Sequence, residues 1–409
     1  MTTPLSTPIN TREGFLWGAA TSPHQTEGGN VHSDWWQLEN APQSFVSERS
    51  GDAVDSYHRY PEDMRLLAEA GLNAYRFGIE WARVEPAPGV HLESELAHYR
   101  QMIETARSLG LTPVVTLHHF TTPAWFAHQG GWLHPDAVDL FARYVERATT
   151  ILHDVDWVCT INEPNIIAAM TALFRQQAAG SGGSGEATNR DAVTSLSLPT
   201  PDTEVADALT AAHRRAVEIV HRKTHAKAGW TVAGQQFEPT PGNEAVFERT
   251  RRDWEDRFLL VSREDDFVGV QAYTSQKVDE NGPVPHPAHP TNTLSGWAYR
   301  PDALEMALRH AWDVTGGTPL LVTENGIATD DDTVRVRYTG EALTGLDKAV
   351  ADGIDVRGYL HWSALDNYEW GHWGPTFGLI AVDRTTFERS PRPSLEWFGR
   401  LARTAVSAR

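Results

Sequence analysis

Short apolar runs alternate with longer runs in which apolar positions recur every third or fourth residue, and this rhythm continues along most of the chain. The short runs predict strands: FLWGAAT (15–21), AYRFGIEW (74–81), TPVVTLHH (112–119), WVCTIN (157–162), AGWTVAGQQ (228–236), FVGVQAY (267–273), LLVTE (320–324) and VRGYLHWS (356–363). The longer runs predict helices. In PEDMRLLAEAG (61–71), Met64, Leu67 and Ala68 fall at i, i+3 and i+4, with Pro61 at the start and Gly71 at the end. PDAVDLFARYVERATTIL (135–152), PDALEMALRHAWD (301–313) and DTVRVRYTGEALTGLDKAVADG (332–353) follow the same design. Strands alternating with helices imply a parallel sheet, and eight such strands predict an α/β fold, a single closed (β/α)8 TIM barrel spanning residues 1–409 as one domain. One stretch breaks the rhythm. Residues 178–206, rich in Gly, Ser, Thr and Pro, predict a long flexible loop after the fourth strand.

In such a barrel the chemistry gathers at the C-terminal ends of the strands. Two glutamates stand there. Glu163 follows the fourth strand in TINEPN, where Pro164 cannot donate a ladder hydrogen bond. Glu324 ends the seventh in LLVTENG, where Gly326 permits a sharp turn. Taken alone, a strand-end glutamate is as readily the partner of an arginine. Two over one barrel mouth are what cleavage of a glycosidic bond requires, one to give a proton and one to attack the anomeric carbon or activate water. Gln25, His119, Asn162 and Glu369 add hydrogen-bonding groups near strand ends, and Trp362 and Trp370 lie beside the eighth strand. A pyranose offers hydroxyls at its edge and C–H groups on its faces, so such a mixture suits it.

Composition removes other classes. Lys and Arg total 35 against 54 Asp and Glu, a net charge of -19, so nucleic acid and anionic membranes are not expected partners. No run approaches ~18 apolar residues, the length of a membrane span, and the N-terminal MTTPLSTPINTREGFLWG lacks a secretory apolar core. The single Cys159 lies within an apolar run and reads as core, which leaves a cytoplasmic protein as the expectation. His221 and His225 in HRKTH have zinc-compatible spacing on a predicted helix but lack the glutamate of a metalloprotease motif, and a solvated helix face is the expected reading. His118 and His119, adjacent on a strand, should point to opposite faces. DDD (330–332) reads as a helix start and TGG (315–317) as a helix end. No phosphate loop, metal site or cofactor is implied.

The ordered set FLWGAATSPHQTEGG (15–29), YRFGIEWARVEP (75–86), TLHHF (116–120), TINEPN (160–165), LLVTENGI (320–327), GYLHWSALDNYEW (358–370) and FGLIAVD (377–383) resembles glycoside hydrolase family 1, the β-glucosidase family, over about residues 13–400. The resemblance implies that Glu163 is the general acid/base and Glu324 the nucleophile. It implies that Arg76 and Tyr273 hold Glu324 charged and oriented. It further implies that Gln25, His119, Asn162, Glu369 and Trp370 contact the sugar hydroxyls, with Trp362 as the platform beneath the ring. The expected activity is that of a retaining, exo-acting β-glycosidase on a small β-glycoside or oligosaccharide. The alternative is a transglycosylating or carbohydrate-binding protein using the same pocket. Glu369 and the absence of a Lys/Tyr pair in GHWGPT argue against phosphosugars. Departures from the family pattern are Gln271 and Ala272 in place of the first two residues of an Asn-Tyr-Tyr motif, and Phe120 in place of a tryptophan. They are expected to reshape the leaving-group side. Phrases such as GIEWARVEP and SDWWQLE resemble the archaeal-type branch.

Overall fold

A computed structural model describes residues 13–180 and 198–407. All eight predicted strands form: Leu16–Ala20 (β1), Ala74–Gly78 (β2), Thr112–Thr116 (β3), Trp157–Asn162 (β4), Lys227–Gly234 (β5), Val268–Ala272 (β6), Leu320–Asn325 (β7) and Val356–Trp362 (β8). They pair in parallel, each with its neighbours in sequence. β1 closes the barrel by pairing with β8 in register from Leu16↔Gly358 to Ala20↔Trp362. Side chains alternate between the barrel interior and the surrounding helices. Leu16, Ala74, Val114, Trp157, Cys159, Phe267, Leu321 and Leu360 fill the inside as one apolar cluster. Trp17, Phe77, Val115, Val158, Val322 and Tyr359 face the helix layer. Cys159 is a buried core residue, as its setting in the sequence predicts.

The helices include Ser56–Ala70 (α1), Ala137–Ala148 (α2), Pro164–Ala178 (α3), Thr203–Lys223 (α4), Ala303–Thr315 (α5), Asp332–Ala351 (α6) and Pro393–Ser407 (α7). Helix α1 begins five residues before Pro61, the expected start, so the proline lies inside it. The left-handed Asp55 turns the chain into α1, and the polar first turn carries no apolar period to signal it. Helix α3 starts directly on Pro164, whose missing N–H costs nothing at the first helical position. The loop expected at 178–206 falls largely outside the described residues. At its edges α3 reaches Ala178, and the Asp202 carboxylate accepts from the amides of Glu204 and Val205 to cap α4. Asp331 caps α6, and the left-handed Gly316 ends α5, as DDD and TGG predict.

Register shifts in two strands, β4 and β7, set the rim. Trp157 and Cys159 point into the barrel, so strict alternation would turn Asn162 outward. A shift between Cys159 and Asn162 against β5 brings it back in. Likewise Leu321 points inward, and shifts between Val322 and Glu324 against β6, and between Val322 and Asn325 against β8, re-aim Glu324 at the mouth. Bulges of this kind redirect single side chains at active sites. Gly326 is required for another reason than the expected turn: a Cβ there would meet the Trp362 carbonyl oxygen at 1.9 Å.

Candidate active site

A cavity of about 660 Å³ opens at the C-terminal end of the barrel. Gln25, His119, Glu163, Tyr273, Glu324, Trp362, Glu369 and Trp370 all line it. Arg76 and Asn162, fully buried, lie outside that lining. The outer wall carries Ile166, Met170, Leu198, Leu294, Trp297 and Phe377.

Glu324 is held at both oxygens. Arg76 Nη1 donates to Oε1 at 2.6 Å, and the Tyr273 hydroxyl donates to Oε2 at 2.7 Å. Arg76 also donates from Nη2 to Asn162 Oδ1 at 2.5 Å and from Nε to Thr116 Oγ1 at 3.0 Å. Burial drives the Glu324 carboxyl above its ordinary range, while the guanidinium and the phenol oppose that rise. Glu163 stands at the N-terminus of α3 in a left-handed conformation, φ 46°. Its side chain has no hydrogen-bond donor among the described residues. Burial and the negative charges of Glu324 and Glu369 push it well up, against the opposing charge of Arg76. The two rim carboxyls therefore differ in kind. One has two donors on it and sheds its proton first; the other has none and keeps its proton longer.

The remaining groups are fixed from behind. Gln25, on the turn of helix Pro23–Thr26, donates to Asn367 Oδ1 and to the Tyr368 carbonyl, each at 2.9 Å, and accepts from Ser22 at 2.7 Å. Glu369 accepts from the Trp362 indole at 3.4 Å, and burial raises it to about 8. Trp362 stacks on His119 with centroids 6.0 Å apart and planes 17° apart. Trp370 stacks on His24 at 5.6 Å and meets Phe120 edge-on at 5.1 Å. β3 ends at Thr116, so both histidines sit just past the strand rather than on it. They still diverge: His118 packs against Trp132 and Phe141, and His119 faces the cavity. Burial and Arg76 hold the His119 imidazole far below its usual range, hence neutral.

Sequence reasoning passed over Thr116 and Thr231, which support the arginine and the asparagine from inside their strands. Polar residues at inward positions of apolar strands were the available signal. Gln271, expected to reshape the leaving-group side, instead donates to Asn162 Oδ1 at 2.9 Å and is the register partner of Glu324. His225 lies past the end of α4, and His221 and His225 pair with Asp266 and Asp156. Among the described residues no group of His, Cys, Asp and Glu is arranged to hold a metal ion. No helix among them is long and apolar enough to cross a membrane.

A closed parallel barrel with two unlike carboxyls at the ends of β4 and β7, beside tryptophans and amides, defines the class of barrel glycoside hydrolases. Comparison narrows it further. The model of glycosyl hydrolase family 1 matches residues 8–258 and 254–406, and the chain belongs to that family. A solved structure, the crystal structure of beta-glycosidase BGL167, is 43% identical, with 97% of each chain covered and a TM-score of 0.86. The beta-glycosidase from Pyrococcus horikoshii is 34% identical, covering 98% of this chain and 96% of its own, with a TM-score of 0.86. The bifunctional beta-D-glucosidase/beta-D-fucosidase of Bifidobacterium breve is 28% identical over 95% of this chain and 97% of its own length.

Proposed function

We propose that this enzyme is a retaining, exo-acting β-glycosidase of the β-glucosidase type that also accepts β-fucosides or β-galactosides, as the bifunctional relative does with fucosides. The observation that carries the reading is the asymmetry of the two carboxyls: Arg76 and Tyr273 grip Glu324, and nothing among the described residues donates to Glu163. In the first step a Glu324 oxygen bonds to the anomeric carbon as the bond to the aglycone oxygen breaks, and that oxygen takes the Glu163 proton. Glu324 is then an uncharged ester, and one of the negative charges that raised Glu163 is gone. Glu163 can now accept a proton from water while the water oxygen bonds to the anomeric carbon and the ester bond breaks. The same configuration returns. Gln25, His119, Glu369 and Trp370 serve as contacts to the sugar hydroxyls, with Trp362 as the platform. Among the described residues the cavity lining carries Glu48, Glu163, Glu324 and Glu369 and no Lys or Arg, which favours neutral glycosides over phosphorylated ones. A cytoplasmic setting belongs to the proposal, supported by the lone buried cysteine.

The test is a panel of 4-nitrophenyl β-glycosides with the parent and Glu324→Gln. Release from the glucoside, fucoside or galactoside by the parent alone is expected. Equal release by both proteins overturns the assignment of the nucleophile, and a parent silent on every sugar overturns the activity.

A further inference from the structure

Glu163 gives its proton to the leaving oxygen in the proposed reaction, so the leaving group lies on the Glu163 side of the cavity. That side is built by α3. Ile166 and Met170 follow Glu163 on this helix, and both line the cavity. Ile166, Met170 and Phe174 recur every fourth residue, which sets them in one row on one face. Phe174 is 36% exposed, and its ring meets Phe45 with centroids 6.2 Å apart. Phe45 comes from the segment between β1 and α1. That segment is bound to the one after β8, because the Ser47 hydroxyl and the Glu48 amide both donate to the Gly371 carbonyl, at 2.8 and 3.0 Å. β4 and β8 stand on opposite sides of the barrel. The apolar row therefore starts beside the acid, at the end of β4, and reaches the far rim. At ~1.5 Å of rise per residue it is about 12 Å long from Ile166 to Phe174.

What such a row takes is decided by its surroundings. Leu294, 47% exposed, adds to the apolar lining with Trp297 and Phe377. Thr274, Glu48 and His372, polar members of the same lining, are engaged with the protein. Thr274 donates to the Ala298 carbonyl at 2.9 Å, Glu48 accepts from the Trp373 amide at 2.8 Å, and His372 Nδ1 lies 3.3 Å from Ser47 Oγ. A second pyranose in this place would need donors and acceptors around its edge. A hydrocarbon needs none, and it gains by leaving water. An exposed apolar surface that runs on from a catalytic cavity is a place for such a ligand.

We infer that the leaving-group site takes an extended hydrocarbon aglycone lying along Ile166, Met170 and Phe174, and that Met170 and Phe174 set the preference for it over a second sugar. The inference rests on the glycosidase reading, which places Glu163 beside the leaving oxygen. The experiment measures kcat/KM for butyl, hexyl and octyl β-D-glucoside below their micellar concentrations, with cellobiose and 4-nitrophenyl β-D-glucoside alongside. The three alcohols leave with nearly equal ease, so chain length alone varies. The proteins are the parent, Met170→Gln and Phe174→Gln; glutamine suits a helix and makes the row polar. In the parent, kcat/KM should rise ~2- to 4-fold for each methylene laid on the row, and octyl glucoside should exceed cellobiose. Each variant should lower the octyl-to-butyl ratio ~3- to 10-fold. A ratio cancels any loss of folded protein common to both substrates, and the second variant reports if the first does not fold. A flat series, or cellobiose preferred to octyl glucoside, in a parent that hydrolyses the nitrophenyl glucoside overturns the inference alone. A rising series left unchanged by both variants overturns the assignment to α3. A parent silent on every glucoside overturns the glycosidase reading, and this inference with it.

Discussion

Removing one oxygen atom, in Tyr273→Phe, tests how the enzyme holds Glu324, its proposed nucleophile. The Tyr273 hydroxyl makes one hydrogen bond among the described residues, to Glu324 Oε2 at 2.7 Å. The ring is held separately, 5.6 Å from Trp297 and 5.9 Å from Phe377, and phenylalanine keeps both contacts. A hydrogen bond to a charged group contributes about 1.5–3 kcal/mol. If that energy holds Glu324 ionised and aligned, kcat/KM at neutral pH falls ~10- to 150-fold. Its direction in pH follows. Glu324 works as a carboxylate, so activity is lost as pH falls through its pKa. Losing a donor to the charged form raises that pKa, and the acid limb of the kcat/KM profile moves to higher pH. The alkaline limb, set by the proton on Glu163, moves much less. The assay is a pH series with an aryl β-glucoside, with thermal melting as the control that both proteins are folded at the assay temperature. An unmoved acid limb with unchanged kcat/KM would show that Arg76 alone holds Glu324 and that the phenol is incidental.

Three other outcomes follow from buried charge. Glu163→Ala should lose most turnover with poor leaving groups, and azide, which needs no general base, should restore turnover of an activated aryl glucoside and give the β-glycosyl azide; a product of inverted configuration would refute the double displacement. Glu80 accepts from Thr121 Oγ1 at 2.7 Å and from the Ala82 amide at 3.1 Å, and burial raises it to about 8. The folded chain thus keeps a proton that the unfolded chain gives up near ~4.3, so stability falls as pH rises through that window. Glu80→Gln should remove part of this slope, stabilising the protein at pH ~8 relative to pH ~5 by at least ~1 kcal/mol in urea titrations. Asp63 and Arg389 form a wholly buried pair at 2.7 Å that ties the segment after the barrel to α1, and Asp63→Asn should cost about 3–5 kcal/mol of unfolding free energy; a loss under ~1 kcal/mol would refute the pairing as a strut.

How much of this was legible in the sequence varies with the length scale of the cause. The strands were legible because burial on both faces of a parallel sheet demands continuous apolar runs. WVCTIN matches β4 residue for residue, and the others are displaced mostly at their C-terminal ends. Those ends are where the chain leaves the ladder, and no local pattern marks the last paired residue. The start of α1 was missed because Asp55 supplies it through a left-handed turn, which hydropathy does not encode. Glu163 and Glu324 were legible as carboxylates following apolar runs. That Glu324 faces inward depends on the register shifts beside it, a property of three strands together. Thr116 and Thr231 were illegible as supports for the same reason: their partners come from other strands.

The rim works as one electrostatic unit. Glu163, Glu324 and Glu369 share the cavity, and one guanidinium, Arg76, lies beneath it without lining it. Three carboxylates beside one cation cannot all be charged at neutral pH in a buried site. Burial raises Glu369 to about 8 and Glu163 well up, and it raises Glu324 against the opposing pull of Arg76 and Tyr273. In the proposed mechanism the nucleophile's negative charge is one reason why the acid holds its proton, and consuming that charge in the glycosyl ester releases Glu163 to act as a base. On that mechanism the grip of Arg76 and Tyr273 on Glu324 bears on both steps: it favours ionisation of that carboxyl, and through its charge it times the change of role of the other.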